Sequence, residues 1–338
     1  MMPLASLLKW APFQLDALGL VTLFGAREMN TSIGNLTRSW ATEWLPVLGS
    51  YAVANNEIAQ SEPGFVLYNV TDGVVATDVS IWFTRWLMSY PLTYTATMIR
   101  LRLDNKPMPT IRKACSLLVG GLTCGLLFMF AILTADWWGI ANVIALCLTV
   151  FTRQQMVGLL RSSIDNAVND LEAEPGPNVK VFLTLPNGSA VTILGPRQIV
   201  TNCILTDPRP SKPTYYFLLR VIGWGAFGVH AISLGVAALF NQILCVVTLL
   251  VGTYFTATHV GDCREAIGSR LWLEVDMGNP KWSRSLAYAR LEMSKGEEDC
   301  MVRWNMMPQR SNSWWWNRYQ DYIATRQNEL SGKFDSVL

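Results

Sequence analysis

Long apolar runs without a charged residue are the strongest pattern in this chain. Residues 221–261 contain no Asp, Glu, Lys or Arg. One helix needs about 20 apolar residues to cross a bilayer, so this run predicts two membrane helices joined by a turn at Asn241-Gln242. Residues 114–135 and 137–152 form a second such pair around Asp136. We therefore predict two transmembrane helical hairpins, at residues 114–152 and 214–261.

Two weaker apolar stretches lie nearer the amino terminus. Residues 80–98 contain one charged residue, Arg85. They are predicted to cross the membrane because the regions before and after them are expected on opposite sides, and the long Arg85 side chain can reach the interface. Residues 1–25 are interrupted by Pro12 and Asp16 and predict a marginal apolar anchor that starts in the cytoplasm. A signal peptide is the alternative for this stretch. The predicted number of spans is therefore six, or five in the alternative.

Between the two hairpins the pattern changes from helical to alternating. Apolar residues three or four apart in residues 154–174 predict an amphipathic helix. Residues 179–185 and 190–194 alternate with period two around the Asn187-Gly188 turn, which predicts a β-hairpin. A short strand at residues 199–205 adds to it. The predicted fold class is an α-helical polytopic membrane protein with two transmembrane hairpins, one or two amino-terminal spans and a small cytoplasmic β element.

Sequons predict which side of the membrane the amino-terminal region occupies. Residues 27–78 carry six acidic and two basic residues, together with sequons at Asn30, Asn35 and Asn69. Acceptor sites of this kind mark surface loops of proteins in the secretory pathway. We therefore expect residues 26–79 to be lumenal or extracellular and glycosylated at these three asparagines.

Basic residues predict the opposite side for the remaining loops. The loop at residues 100–113 holds five basic residues and one acidic residue, and short basic loops stay in the cytoplasm. Residues 153–213 and the tail, residues 262–338, are expected on the same cytoplasmic side. The tail contains the aromatic cluster Trp314-Trp315-Trp316. This cluster predicts a helix that lies on the membrane surface or docks on the protein's own core.

Composition agrees with a membrane protein and excludes some partners. Charged residues make up 15% of the chain, against about 25% in soluble domains, and hydrophobic residues 51%. The formal net charge of +2 is too small and too evenly spread for nucleic-acid binding. Most of the seven cysteines lie in or near apolar runs, so no disulfide framework is expected. The bilayer is the predicted partner, in the plasma membrane or the endomembrane system.

Two features inside the spans are candidates for specific interactions. Gly121 and Gly125 have the spacing that lets helices approach closely, within the monomer, in a homo-oligomer or with a membrane partner. His230 lies near the middle of a span, where an ionisable residue is a functional candidate. The alternative is a neutral imidazole that is hydrogen-bonded to a neighbouring helix.

No metal, cofactor or catalytic residue is predicted. His259 and Cys263 stand four residues apart, but two ligands without a third do not make a metal site. Residues 165–170 resemble the Asn/Asp-rich magnesium motifs of membrane prenyl-transferring and terpene-cyclising enzymes. That chemistry needs a second carboxylate cluster to bind a diphosphate through Mg²⁺. The sequence leaves open whether the protein is an enzyme.

One stretch resembles a known group of proteins. Residues 182–192 read Phe-Leu-Thr-Leu-Pro-Asn-Gly-Ser-Ala-Val-Thr and are followed by Gly195-Pro196-Arg197. This arrangement, set between two apolar hairpins, resembles a broad group of uncharacterised fungal multi-pass integral membrane proteins over about residues 112–261. The resemblance implies no known activity and no catalytic residue. It implies an accessory role in a fungal secondary-metabolite pathway.

Three functional hypotheses follow from these patterns. The first is a multi-pass integral membrane glycoprotein without a recognisable catalytic motif, accessory to a fungal secondary-metabolite pathway. The second is a membrane-embedded enzyme of terpenoid or related biosynthesis, which would use the acidic residues at 165–174. The third is a small-molecule transporter, because the two hairpins share an orientation and could be parallel repeats.

Overall fold

The computed structural model describes residues 4–12, 26–90, 92, 97–103, 109–169, 176–207, 209–277 and 284–335, with the side chains of all but residue 5 and residues 326–335. The helices in chain order are α1 (Ala26–Gly34), α2 (Ser50–Ala54), α3 (Ile81–Ser89), α4 (Thr110–Leu133), α5 (Trp137–Asn169), α6 (Pro213–Val236), α7 (Leu239–Ala257), α8 (Arg284–Arg290), α9 (Lys295–Arg303) and α10 (Ser313–Asp335). Shorter helical segments are Ala5–Lys9, Glu57–Ala59, Arg197–Ile199 and the π-helical turn Val200–Ile204.

Eight strands form one mixed sheet. They are β1 (Thr37–Ser39), β2 (Val66–Asn69), β3 (Val74–Ala76), β4 (Thr97–Leu103), β5 (Asn178–Thr184), β6 (Ala190–Pro196), β7 (Asp262–Ile267) and β8 (Leu271–Asp276). Their order in the sheet is β1-β7-β8-β4-β6-β5-β2-β3. The β4–β6 pair is parallel, with Thr97 opposite Val191, and the other pairs are antiparallel.

The predicted fold class is wrong, because the β structure is not a small element. The sheet collects strands from five separate parts of the chain, including two parts of the region expected on the opposite side of the membrane. The β5–β6 hairpin around Gly188 is present as predicted, with φ +80° at that glycine. It lies inside the larger sheet. The other strands have three to seven residues, and all but β3 include a pairing with a segment distant in the chain. None of these strands is predicted by the sequence pattern.

Residues 80–98 are not a transmembrane span. They contain the nine-residue helix α3 and the start of β4. The apolar side chains of α3 pack into the core against the sheet, with Phe83 and Trp86 fully buried. The strand expected at residues 199–205 is instead the π-helical turn Val200–Ile204. In both cases the apolar side chains are buried inside the protein. The apolar pattern alone does not distinguish such burial from exposure to lipid.

The sheet carries a helical layer on each face. On one face, α3 and the carboxyl-terminal part of α5 cover the alternating residues Val179, Val181 and Leu183. On the other face, α8 and α10 cover Phe182 and the start of β6. The aromatic tail therefore docks on the protein's own core, where Trp316 and Tyr319 are buried. Both faces of β5 are covered, which explains its nearly continuous apolar sequence.

Four helices, α4 to α7, are long and apolar enough to cross a membrane by length and composition. They form the two predicted hairpins. The first turns at residues 134–136, and the second turns at Ala237-Ala238 rather than at the predicted Asn241-Gln242. Asn241 belongs to the first turn of α7, where its side-chain amide donates to Asp136.

Asp136 joins the turns of the two hairpins. Its Oδ1 accepts from the Gly139 N–H at 3.0 Å. Its Oδ2 accepts from the Ala238 N–H and from Asn241 Nδ2, both at 2.8 Å. The carboxylate is buried and all three donors are satisfied by one side chain. This explains why the single charged residue of the first apolar hairpin lies at its turn.

A segment from the amino-terminal region enters the group of four helices. We call residues 44–54 the inserted segment. Its Trp44 contacts Gly120 of α4, and its Pro46 contacts Gly252 of α7. Leu48 packs in an apolar cluster formed by all four long helices. The backbone of the inserted segment can approach so closely because the two glycines lack a side chain.

Buried arginine side chains bind the backbone carbonyls of this region. Arg153 of α5 donates to the carbonyls of Glu43 and Leu45 at 2.6 and 2.8 Å. Arg161, two turns further along α5, donates to the carbonyls of Leu36 and Thr37 and to the Glu43 carboxylate. These bonds satisfy carbonyls that have no partner in a helix or strand, which a buried backbone requires.

The amino-terminal residues lie at the hairpin turns. The Leu4 N–H donates to the carbonyl of Leu133, the last residue of α4. Helix α1, in contrast, leads into β1 of the sheet. Leu4, inside the predicted anchor, therefore lies at the turn end of the long helices, whereas α1, which follows the anchor, lies at their sheet end. Residues 1–3 and 13–25 of that anchor are outside the described residues.

We expect Gly120→Ala to destabilise the protein by about 1–3 kcal/mol, because a Cβ at this position would collide with the backbone carbonyl and Cβ of Trp44. Gly121→Ala is the matched control, since no atom lies within 4 Å of a Cβ there. Thermal unfolding of the purified chain in detergent measures both. Equal melting temperatures for the two variants would contradict the close contact of Trp44 with α4.

Candidate functional site

A cavity of about 630 Å³ lies where the helical layer beneath the sheet meets α5 and α6. Volumes between about 300 and 1,000 Å³ are typical of small-molecule sites. Its apolar wall includes Leu36, Ile58, Trp82, Leu160 and Ile164. Asp207, Arg209, Tyr216 and Arg220 add polar groups. The cavity therefore combines an apolar interior with a small number of charged groups, as ligand sites do.

Arg85 fixes the shape of one wall. Its guanidinium donates to the carbonyls of Ile58, Glu57 and Gln60 at 2.7, 2.9 and 3.0 Å. The side chain is 1% exposed, and Glu62 is its ion-pair partner at 3.8 Å. Burial lowers the pKa of the Arg85 guanidinium, and the charge of Glu62 partly offsets that effect. Three carbonyl bonds hold the short helix beside the cavity in place.

Asp207 occupies the amino-terminal end of α3. Its Oδ1 accepts from the Ile81 N–H at 2.7 Å, a bond that caps a helix whose own N-cap residue, Ser80, makes no side-chain cap. Burial raises the pKa of the Asp207 carboxyl, although the Ile81 bond and the charge of Arg85 oppose this. The capping bond aligns the carboxylate with the positive end of the helix.

Helix α6 holds the other side of the cavity through its first two turns. The Tyr216 hydroxyl donates to Asn56 Oδ1 at 2.7 Å. Arg220 Nε donates to the Ala54 carbonyl at 3.0 Å, and the guanidinium lies over the Trp224 ring. These contacts attach α6 to the end of the inserted segment. Asn56 has φ +65°, a conformation that asparagine adopts more readily than most residues.

The cavity opens beside the outward face of α6. Phe217 lines the cavity and is 56% exposed. Leu218 and Val221 continue this exposed apolar face along the helix. The apolar outer face of α6 therefore adjoins the cavity at Phe217.

The three predicted glycosylation sites lie around the sheet and its neighbouring helices. Asn35 and Asn69 are 1% and 3% exposed. The Asn35 amide donates to Ser89 and the Asn69 amide to Asp72, so a glycan would have to displace a packed amide. Asn30 is half-buried, with Nδ2 3.4 Å from Glu57 Oε2. Their glycosylation stays a prediction, and the burial of two of the amides argues against it.

His230, on α6, is buried against α5, where its ring hydrogen-bonds to the backbone of Asn142. Its Nδ1 has no hydrogen-bond partner among the described residues, and its polar neighbour is Asn142 of α5. Asn142 Nδ2 approaches Cys245 Sγ of α7 at 3.4 Å, while its Oδ1 is also without a partner in the described part of the chain. A functional role for His230 remains a prediction.

The two glycines predicted to pack helices face outward. A Cβ on Gly121 or Gly125 would have no heavy atom within 4 Å. Among the described residues neither glycine brings helices together, and the close approach is made one residue earlier, at Gly120. A homo-oligomer or a membrane partner at these glycines stays untested.

The proposed magnesium motif has a structural contact at its first residue. Asp165 Oδ1 accepts from the Ser269 N–H at 2.8 Å and lies against Gly268, in the β7–β8 turn. Residues 170–174 are outside the described residues. Within the described ranges, no three His, Cys, Asp or Glu side chains are grouped to hold a metal ion. His259 Nδ1 pairs with Asp262 Oδ2 at 2.8 Å. Among the described residues, His259 and Cys263 belong to no group of three potential metal ligands.

Sequence reasoning missed the groups that build the cavity. Asp207, Tyr216 and Arg220 come from a loop and the start of an apolar helix, and nothing in their spacing brings them near Asn56 or Trp82. The available signal was the presence of arginines at the edges of apolar runs, since a buried arginine needs several acceptors. The sequence pattern predicts that Arg85 reaches the membrane interface, whereas the structure buries it against backbone carbonyls.

The fold and cavity together define a mixed α/β protein with four helices of membrane-spanning length and an amphipathic cavity at their junction with the sheet. Comparison with protein-family models, with curated proteins and with solved structures finds no match to this chain.

The raised pKa of Asp207 predicts a pH-dependent stability difference from Asp207→Asn. A carboxyl whose folded pKa is raised binds its proton more tightly when folded, so native stability rises as the pH falls through that pKa towards the unfolded value. Asparagine retains an oxygen for the Ile81 N–H but does not ionise. We expect the free energy of unfolding of Asp207→Asn, relative to that of the wild type, to be higher at neutral than at acidic pH. Solvent screening reduces the size of this difference. Melting temperatures over that range measure it, and a pH-independent difference would contradict it.

Proposed function

We propose that this chain is an integral membrane protein that binds a small amphiphile in the cavity between the sheet and helices α5 and α6. Helices α4 to α7 cross the bilayer, and the sheet with its helical layers lies on the cytoplasmic side. The observation that carries the proposal is the 630 Å³ cavity, whose interior is apolar and whose opening adjoins the exposed apolar face of α6.

The outward faces of the long helices support the membrane location. Side chains on α4, α5, α6 and α7 that are more than half exposed include Leu118, Leu122, Ile144, Phe217, Ile232 and Tyr254. Contiguous apolar surface of this extent is not typical of a soluble monomer. The inserted segment is compatible with this location, because irregular backbone at membrane depth is tolerated where protein buries it.

The charge distribution supports the orientation. Arg112 and Lys113 lie at the sheet end of α4, and Arg209 and Lys212 precede α6 at its sheet end. The turns at the opposite end contain Asp136 and no basic residue. Basic residues beside membrane helices favour the cytoplasmic side. This orientation differs from the sequence prediction for residues 26–79.

The cytoplasmic orientation has a consequence for the three sequons. Asn30, Asn35 and Asn69 belong to the same folded unit as the sheet. In this orientation none of them meets the lumenal machinery that attaches glycans. Residues 4–12, which contact the hairpin turns, are on the lumenal or extracellular side.

The biological setting is a further part of the proposal. A binding protein for an amphiphile is compatible with an accessory role in a fungal secondary-metabolite pathway, because many intermediates of such pathways partition into membranes. A membrane-embedded enzyme and a transporter remain alternatives. Among the residues that the structure describes, none hydrogen-bonds to Nδ1 of the buried His230, and this favours the transporter over the enzyme as the second candidate.

For the orientation, we expect endoglycosidase treatment to leave the electrophoretic mobility of the wild-type chain unchanged. On sealed right-side-out vesicles, a membrane-impermeant maleimide is expected to label Lys9→Cys directly. The same reagent is expected to label Ser311→Cys only after the vesicles are permeabilised. Both positions are exposed, and the parent chain with its native cysteines is the control. A mobility shift abolished by Asn69→Gln, or labelling of Ser311→Cys from outside, would exclude this orientation.

For the binding, we expect the full chain in phosphatidylcholine nanodiscs to crosslink to at least one of four hexadecyl probes. The probes carry a diazirine in the tail and a carboxylate, phosphate, alcohol or trimethylammonium head. Crosslinked peptides should contain cavity residues such as Trp82 and Leu160. Ala59→Trp, which fills the cavity, should reduce crosslinking at least about fivefold, and Gln60→Trp, next in sequence but outside the lining, should not. Crosslinks confined to the outer faces of α4 and α7 would refute the binding function.

A further inference from the structure

The charged side chains of the cavity differ in how many of their hydrogen-bonding atoms already have a partner in the protein. Asp207 directs one carboxylate oxygen to the Ile81 N–H, at the positive end of α3. Arg209 makes no hydrogen bond or ion pair with any residue in the described part of the chain, and it is exposed at the rim. In the cavity, the Asp207 carboxylate therefore already accepts one hydrogen bond, whereas the Arg209 guanidinium has no partner among the described residues.

Arg220 adds a second cation that is only partly used. Its Nε donates to the Ala54 carbonyl at 3.0 Å, and one terminal nitrogen is 3.4 Å from the Asn55 carbonyl. Asp207 supplies the one carboxylate among the described residues that line the cavity. Two guanidinium groups and one capped carboxylate leave a net positive rim, at the end of the cavity where α6 begins.

The position of this rim matters as much as its charge. The lining residues Arg209, Pro210 and Pro213 lead into α6, whereas Trp82, Leu160 and Ile164 form the apolar interior. Phe217 is one turn from the start of α6 and faces both the cavity and the outer surface. An apolar chain in the interior would therefore bring its polar head to Arg209 and Arg220.

From this geometry we infer that the ligand is an anionic amphiphile, with a carboxylate or phosphate head at Arg209 and Arg220 and its apolar chain in the cavity. This inference rests on the proposed function and specifies the ligand of the same site. Guanidinium groups match both kinds of oxyanion with paired hydrogen bonds. A cationic head would be repelled by the two arginines, and a neutral head would not neutralise the net positive charge of the rim.

The test compares the four hexadecyl probes in nanodiscs on the wild type and on Arg209→Gln. We expect the carboxylate or phosphate probe to crosslink to cavity residues at least about tenfold more than the alcohol, a ratio typical of charge-assisted recognition. Arg209→Gln should remove most of that preference without lowering the melting temperature, because Arg209 has no described partner. The carboxylate and phosphate arms distinguish a fatty-acid-like ligand from a phosphorylated one.

Arg112→Gln is the matched control, because Arg112 is another arginine at the sheet end of a long helix but lies outside this cavity. It should leave the preference unchanged. Equal crosslinking of all four probes inside the cavity, or an equal loss in Arg112→Gln and Arg209→Gln, would overturn the anionic head group while leaving amphiphile binding intact. Absence of cavity crosslinks with every probe would overturn both.

Discussion

Hydrogen bonds from buried arginines to backbone carbonyls hold this fold together. Residues 36–60 run between the sheet and the long helices with few regular backbone bonds of their own. Arg153 and Arg161 of α5 and Arg85 of α3 supply the missing donors, and the half-buried Arg220 of α6 adds one more. A buried carbonyl without a donor costs stability, and a buried guanidinium without acceptors costs more. Each group therefore makes the burial of the other possible, and the sheet becomes fixed to the helices.

Helix α5 transmits this constraint through the molecule. Its 33 residues extend for about 50 Å, more than a bilayer requires. The amino-terminal part packs with the other long helices, and Val157, Ile164 and Val168 pack against the sheet. Arg153 lies between these two regions, and Arg161 lies within the second. Because one continuous helix serves both, the position of the inserted segment and the position of the sheet are not independent.

The cavity lies at the same connection between the sheet and the long helices. Its walls come from the carbonyl-bound residues 56–59, from α3 and from the facing parts of α5 and α6. Tyr216 and Arg220 attach α6 to the end of the inserted segment, while Arg85 holds the opposite wall. A site formed between elements fixed in this way is largely preformed, which reduces the ordering that a ligand must impose. Phe217 lines this cavity and is also exposed on the outward face of α6, so the apolar interior adjoins that face.

Hydropathy determined the long helices, because runs such as residues 221–261 contain no charge and are too long for one buried helix. The alternation around Gly188 likewise determined the β5–β6 hairpin, since its turn chemistry and partner strand are local. Local patterns could not determine that β1, β2, β4 and β7 join one sheet, or that α3 is buried in protein and not in lipid. Those outcomes depend on pairing between residues far apart in the chain. The cavity depended on tertiary structure for the same reason: Asp207, Arg220 and Asn56 are distant in sequence, and only packing brings them together.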